Sequence, residues 1–426
     1  MNTGNHVRGW WPIVAAAAIT CGCAPSPDSG SAPASASAPQ QSNWTMRTEP
    51  LPLPSSGTTS APQLTSSAGG MILTWLEQAG STATLRFAER VGGEWSQPRT
   101  VASAEDWFLS WADVPSVLRM SDGTLVANWY PATDPLAEAY DIRLSYSRDD
   151  GKTWARPFAP HHDGTKTQHG FVSLFELPDR TLGLVWLDGR DQELNAAAPE
   201  GGAMGLYFAR FDGQWKQTAE SVVNARVCEC CPTAAAVTDD GVLAAFRDRS
   251  PREIRDINVT RLDKDAWTPA RPLHVDGWEI DACPVNGPAL SARGREVAAA
   301  WFTAAGNQGQ ALVAFSQDAG GTWSTPIRLD EGTPRGHVDI ELLEDGSAVA
   351  TWVELVGGHS RFRVRRVART GVRSEVFDVA AERVTGYPRV EQSGDELVFV
   401  WTESAEGEGG EQIKGAVARL RPVTAP

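Results

Sequence analysis

The chain has 426 residues and a formal net charge of −15, from 38 basic and 53 acidic side chains. Because nucleic acid selects basic surfaces, this charge argues against a nucleic-acid partner. The length would accommodate more than one average domain, but a single repeat domain can use nearly all of it. Beyond the N-terminus no apolar run is long enough to span a membrane as a helix.

The N-terminus predicts export. Arg8 supplies positive charge, residues 9–20 form a short apolar segment, and Cys23 follows the small residue Gly22. This pattern is similar to a lipoprotein signal, in which the cysteine is lipidated and becomes the new N-terminus; plain signal cleavage is the alternative. We therefore expect an exported lipoprotein, periplasmic or at the outer membrane, that is held to the membrane by its lipid anchor alone.

The rest of the chain divides into two parts. Residues 24–43 are rich in Ser, Ala and Pro, a composition that cannot bury a core and predicts a flexible tether after the signal at 1–23. Residues 44–421 are predicted to form the folded domain, which we expect to be a monomer.

A recurring aromatic residue organises this domain. Short apolar runs end at regularly spaced aromatic residues, namely Trp75, Trp129, Trp186, Phe246, Trp301, Trp352 and Trp401. Their spacing of 49 to 60 residues, with every copy strand-like, is typical of a radial repeat such as a β-propeller. The sequence therefore predicts an all-β fold of four-stranded blades.

Seven repeat units can be counted, with six as the alternative if two weak units merge. The first strands are predicted to begin near Pro62, Pro115, Val172, Thr233, Pro288, Asp339 and Pro388. Asp-Gly pairs at 122–123, 240–241 and 345–346 indicate tight hairpins after some of these strands. The last unit lacks a fourth strand, and residues 44–53 are expected to supply it, which would remove a free sheet edge.

Two turns share an eight-residue pattern. Ser147-x-Asp149-x-Gly151-x-Thr153-Trp154 is repeated as Ser316-x-Asp318-x-Gly320-x-Thr322-Trp323. The pattern resembles the Asp-box (BNR) repeat, and residues 62–420 resemble the sialidase superfamily. We expect a structural role for these turns. The Asp accepts backbone N–H groups, the Gly adopts a conformation costly for other residues, and the Trp packs between sheets.

Chemistry is expected on the face opposite the Asp-boxes, where residues before each first strand and after each second strand converge. Before the first strands lie Trp111, Asp113, His169, Asn286, His337, Asp339, Tyr387 and Arg389. After the second strands lie Arg190, Asp248, Arg249, Glu354 and Glu403. This polar funnel predicts binding of a glycan or another small anionic ligand.

The sialidase resemblance implies specific roles. Tyr387 would be the nucleophile with Glu354 or Glu403 as its partner, and Asp113 or Asp248 would be the acid/base. Arg190, Arg249 and Arg389 would bind the substrate carboxylate. The stretch 60–64 lacks the arginine that this family carries in its first blade, and seven units exceed its six. An exo-α-sialidase-type hydrolase and a non-catalytic binding or assembly module therefore both remain as hypotheses.

The domain contains four cysteines, Cys228, Cys230, Cys231 and Cys283. In an oxidising compartment they predict disulfides, and a bond from Cys230 or Cys231 to Cys283 would join adjacent blades on one face. The alternatives are a thiolate site for copper or zinc, assisted by His169 or His337, and a redox-active thiol. A metal-handling protein is thus the third functional hypothesis, and no other cofactor is expected.

Overall fold

Seven antiparallel sheets follow one another along the chain and form the blades of a β-propeller. The computed structural model describes residues 44–67, 69–134, 139–196, 202–404 and 410–420. The predicted signal, tether and lipidation site at Cys23 lie outside the described residues. The folded unit falls within residues 39–426.

The first two blades follow a short strand, β1 (Thr48–Pro50). Blade one contains β2 (Thr58–Ser67), β3 (Gly70–Ala79), β4 (Thr82–Val91) and an outer edge divided into β5 (Glu94–Trp95) and β6 (Arg99–Ala104). Blade two begins with β7 (Ser116–Arg119) and β8 (Leu125–Trp129), continues through a ribbon of β9 (Ala132–Asp134) and β10 (Ala139–Tyr140), and ends with β11 (Arg143–Ser147). Its outer position is marked by a single bridge between Leu144 and Phe158.

The middle blades have the same inner-to-outer strand order. Blade three contains β12 (His169–Glu176), β13 (Leu182–Asp188), a short helix α1 (Arg190–Leu194), β14 (Gly205–Phe211) and β15 (Gln217–Asn224). Blade four contains β16 (Ala234–Thr238), β17 (Gly241–Arg247), β18 (Ile257–Asp263) and an outer edge of β19 (Ala266–Trp267) and β20 (Arg271–Pro272). Blade five contains β21 (Ala289–Arg293), β22 (Glu296–Thr303), a 3₁₀ turn (Ala305–Asn307), β23 (Gln310–Ser316) and β24 (Ile327–Arg328).

The last two blades complete the ring. Blade six contains β25 (Thr333–Leu342), β26 (Ala348–Val356), β27 (His359–Val367) and β28 (Phe377–Ala380). Blade seven contains β29 (Val384–Ser393), β30 (Glu396–Ser404) and β31 (Glu411–Arg419). The prediction of seven blades is confirmed. None of the helical segments in the described ranges has the length and apolarity needed to cross a membrane.

The recurring aromatic residue explains why the blades form a ring. Each lies on the second strand of its blade and packs into the hydrophobic core shared with the preceding blade. Trp129 packs against blade one, Trp186 against blade two and Phe246 against blade three. Trp75 of blade one packs against Val398 and other residues of blade seven. Burial of such large rings stabilises each sheet-to-sheet interface, so one aromatic per repeat supplies one interface per repeat.

Both ends of the chain contribute to blade seven. Strand β1 pairs with β31 in the register Thr48↔Ala418, and the amide of Leu51 donates to the carbonyl of Gly415 at 2.9 Å. Blades one and seven are also joined by an ion pair, with Arg90 Nη1 2.6 Å from Glu396 Oε2. Residues 44–53 therefore supply the fourth strand, as expected from the sequence.

The Asp-box turns are built from side-chain hydrogen bonds. In the first copy, Asp149 accepts the amide of Thr153 at 2.9 Å and its hydroxyl at 2.7 Å, and Gly151 has a φ of +76°. Trp154 packs edge-on against Phe87 of the preceding blade. In the second copy Asp318 binds Thr322 in the same way, Gly320 has a φ of +78°, and Trp323 packs on the core between blades four and five.

Candidate functional site

The first strands of all seven blades surround a central cavity of about 820 Å³. Four of the predicted site residues line its wall: Asp113 lies before β7, whereas Asp339, Tyr387 and Arg389 lie within β25 and β29 rather than before these strands as the sequence predicted. Part of the predicted funnel therefore lines this channel, and the other predicted site residues are not in its wall.

The backbone at the channel mouth has an unusual conformation. Five residues at equivalent positions, just before or within the first strands, have positive φ angles, namely Ala61 (53°), Phe171 (54°), Val285 (47°), His337 (50°) and Gly386 (66°). Four of these strands also carry a shift in register at this point. Positive φ costs a residue with a side chain about 1–2 kcal/mol, so contacts around the mouth must hold these residues in place.

Three predicted site residues provide such contacts between neighbouring blades. Asp113 of blade two accepts the amide of Phe171 at 2.7 Å. Asn286 accepts the amide of His337 at 2.8 Å, and Asp339 accepts the amide of Val390 at 2.9 Å. These side chains accept hydrogen bonds from backbone amides of the neighbouring blade, at or near the residues with positive φ. They therefore have a structural role at the channel mouth.

Asp113 has a second property of interest. Its side chain is buried and also accepts the hydroxyl of Tyr140 at 3.0 Å. Burial raises the pKa of Asp113 to about 7, against the lowering effect of hydrogen bonds from Tyr130, Phe171 and Tyr140. This carboxyl group is therefore partly protonated near neutral pH.

Tyr387 lacks the surroundings of an activated nucleophile. Its hydroxyl donates to the carbonyl of Val285 at 2.7 Å, and burial raises its pKa above the usual value. Glu354 instead accepts the indole N–H of Trp352 at 2.8 Å and a hydrogen bond from Arg363. Glu403 lines a different cavity, of about 720 Å³, beside β1. The structure thus gives Tyr387 a carbonyl partner and places both candidate glutamates elsewhere.

Two of the three candidate arginines are engaged in ion pairs. Arg190 binds Asp188 with two nitrogens, at 2.9 and 2.7 Å, and also binds Glu220. Arg249 pairs with Glu229 and Glu253. Asp248, next to it, has a pKa raised to about 6 by burial, with a further contribution from the charge of Asp256.

The third arginine lies beside a group of aromatic rings. Arg389 forms no ion pair within the described part of the chain, and its guanidinium lies 5.4 Å from the ring centroid of Tyr387. Trp111 stacks on Tyr387 at 6.1 Å and contacts His337 at 5.2 Å. Burial lowers the pKa of His337 to about 4, with the charges of Arg335 and Arg389 acting in the same direction. We call Trp111, His337 and Tyr387 the aromatic platform; its Trp111 side is solvent-accessible, since that residue is 46% exposed.

His169 belongs to a buried cluster that sequence reasoning missed. Its ring stacks on His161 with 3.9 Å between centroids, and Asp163 Oδ2 lies 3.1 Å from His161 Nδ1 and 3.3 Å from His169 Nε2. Asp141 and Asp188 are within 4 Å of His169. Burial lowers the pKa of His161. Burial also acts to lower that of His169, but Asp163 and Asp188 outweigh it and raise the pKa. The His-x-Asp spacing of residues 161–163 was the available sequence signal.

The cysteines gather beside the platform. The sulfurs of Cys228 and Cys231 are 3.3 Å apart and those of Cys228 and Cys230 are 3.8 Å apart. Cys230 and Cys283 are close enough for a disulfide, with Cα atoms 6.0 Å apart. In the described part of the chain, the ligand group at this place consists of cysteines alone, so the expected help from His169 or His337 is not seen.

Comparison with known proteins identifies the architecture. The chain shares a β-propeller fold with solved structures of low sequence identity. Among solved structures it is similar to the polysaccharide lyase Uly1, with 11% identity, a TM-score of 0.53, and 85% of this chain and 90% of that one covered. An α-L-arabinanase from Penicillium chrysogenum matches with 16% identity, a TM-score of 0.48 and coverage of 74% and 95%. NanB sialidase from Streptococcus pneumoniae matches with 10% identity, a TM-score of 0.46 and coverage of 82% and 83%. No protein-family model and no curated protein matches the sequence.

Proposed function

We propose that the protein binds an acidic carbohydrate on the aromatic platform at the mouth of the central channel. The observation that carries the proposal is the exposure of Trp111 above two further rings, where most other large apolar side chains of the domain are buried. Aromatic faces with a few polar groups are typical of small-molecule sites. The polysaccharide lyase Uly1, whose fold this chain shares, agrees with a carbohydrate as the ligand class.

The charge of the ligand is inferred from Arg389. Its guanidinium is beside the platform and has no carboxylate ion pair among the described residues. A planar guanidinium can bind a carboxylate through two parallel hydrogen bonds, as the carboxyl group of a uronic or sialic acid would allow. An export route and a lipid at Cys23 remain part of the proposal, since an exported protein would meet such glycans outside the cytoplasm.

We propose binding rather than sialidase-type hydrolysis. The nucleophilic role of Tyr387 would require a carboxylate partner and an accessible hydroxyl, whereas this hydroxyl is buried and bonded to a carbonyl. The higher pKa of Tyr387 acts against formation of the phenolate. A fluorogenic sialoside should therefore not be turned over, and turnover that is lost in Tyr387→Phe would contradict this part of the proposal.

Binding can be tested by calorimetry with sialylated, uronate-containing and neutral oligosaccharides. We expect Trp111→Ala to weaken binding of the acidic sugar at least tenfold with little loss of stability, because the side chain is half exposed. Leu109→Ala is the matched control, since Leu109 is 42% exposed two residues away and should leave binding unchanged. The proposal fails if no acidic saccharide binds, or if the two variants bind equally well.

A further inference from the structure

Four cysteine sulfurs meet at one place near the platform. Cys228, Cys230 and Cys231 belong to the loop between β15 and β16, and Cys283 to the loop between β20 and β21. Sulfur atoms of the first three all lie within 4.8 Å of one another. Cys228 and Cys231 are buried, whereas Cys230 is half-buried and connects them with Cys283.

The sulfur separations are close to those of thiolates that share one metal ion. With a metal–sulfur distance of about 2.3 Å, sulfurs around a tetrahedral ion are roughly 3.8 Å apart. The observed separations are 3.3 Å between Cys228 and Cys231 and 3.8 Å between Cys228 and Cys230. The three sulfurs are therefore close enough together to bind one ion.

The surroundings favour thiolates. A guanidinium nitrogen of the buried Arg255 lies 3.2 Å from the sulfur of Cys228, and the amide of Asn286 donates to the sulfur of Cys231 at 3.3 Å. The carboxylate of Glu229, within the same loop, is directed to Arg249 and Arg255 rather than to the sulfurs. A donor set of sulfur alone selects a soft ion such as Cu(I) over ions that prefer oxygen or imidazole ligands.

A purely structural role as a disulfide explains the positions of only some of the four cysteines. A bond between Cys230 and Cys283 would join the loops that precede blades four and five, but it leaves Cys228 and Cys231 side by side in the interior. Two buried thiols next to an arginine are not needed for that connection. Their position is explained if they are ligands.

We propose that Cys228, Cys230 and Cys231 form a binding site for one Cu(I) ion, and that Cys283 controls the site by forming a disulfide with Cys230. In the oxidised state Cys230 is bonded to Cys283 and the site has two sulfurs. An external dithiol supplies two electrons and two protons, the Cys230–Cys283 bond breaks, and the dithiol becomes a disulfide. Binding of Cu(I) then displaces the thiol protons of the three ligands into solvent.

The experiment is a Cu(I) titration of the full chain without oxygen, in competition with the coloured chelator bicinchoninate. We expect one Cu(I) per chain after reduction, with sulfur ligands by X-ray absorption, and at least tenfold weaker binding before reduction. Cys228→Ser and Cys231→Ser should each lower the affinity at least a hundredfold. Their folding is checked by thermal unfolding.

The Cys283→Ser variant tests the control of the site by the disulfide separately from Cu(I) binding, since it leaves all three cysteine ligands in place. This variant should take up one Cu(I) without prior reduction. The proposal is overturned if the reduced protein loses all Cu(I) to the chelator, if Cys228→Ser retains the ion, or if Zn(II) displaces it. A Cys283→Ser protein that still requires a reductant would overturn the role of Cys283.

Discussion

The buried carboxyl group of Asp113 should make the stability of the propeller depend on pH. Its pKa is about 7 in the folded protein and 3.8 for the free side chain. Between these values the folded state holds more protons than the unfolded state, so stability falls as the pH rises. A shift of about three pH units corresponds to about 4 kcal/mol, which is fully present below pH 3.8 and lost above pH 7.

Asp113→Asn tests this reasoning. The amide oxygen can still accept the N–H of Phe171, while the ionisable group is removed. Because other groups also titrate, the informative quantity is the difference between wild type and variant. We expect the variant to gain about 3 kcal/mol relative to wild type between pH 4.5 and 7.5, because this range covers only part of the full titration. That gain is about 4 °C in unfolding temperature for a domain of this length.

Thermal unfolding followed by tryptophan fluorescence at four pH values in this range is a suitable assay. Asp395→Asn is the control, because it makes the same substitution at an exposed position. If Asp113→Asn shows the same pH slope as wild type, the group does not titrate in this range and the reasoning is refuted.

Two further predictions concern the architecture. Gly320→Ala should destabilise the fold by about 2–4 kcal/mol, because φ is +78° and the added carbon would lie 2.7 Å from methyl groups of Leu243. Gly213→Ala, in open space, should be neutral, and equal urea midpoints for the two would contradict the argument. Removal of residues 44–53 should cost about 3 kcal/mol from Leu51 and Leu53, and should cause association through the unpaired edge of β31. A chain that begins at residue 44 is the control. If gel filtration and urea midpoints are the same for both chains, β1 does not protect this edge.

The fold could be predicted because one residue per repeat determines one interface. A large ring on the second strand of each blade, such as Trp186 or Trp352, packs on the preceding sheet. Its spacing therefore counts the interfaces, and hence the blades, directly from the sequence. The closing strand was predictable because a unit that lacks one strand must obtain it from the other chain end.

The candidate site was predictable only in part. Trp111, His337 and Tyr387 do come together, since Trp111 lies before β7 and the other two lie in the first halves of β25 and β29, at the channel mouth. The roles of individual polar residues were not predictable. Which side chain accepts a given backbone N–H depends on residues with positive φ, such as Phe171. A non-glycine residue in this conformation cannot be recognised from the sequence. Glu354 follows its tryptophan by two residues and accepts the indole N–H, a contact that spacing alone cannot distinguish from catalysis.

The pairing of β1 with β31 also has a consequence for folding. It joins Thr48 to Ala418, residues about 370 positions apart. Closing a loop of that length costs about 5 kcal/mol of chain entropy. The seventh blade can form only when β31 has been synthesised, so the ring closes late in folding. Until then the apolar sheet faces of blades one and six that blade seven covers are exposed, which favours association of the incomplete chain.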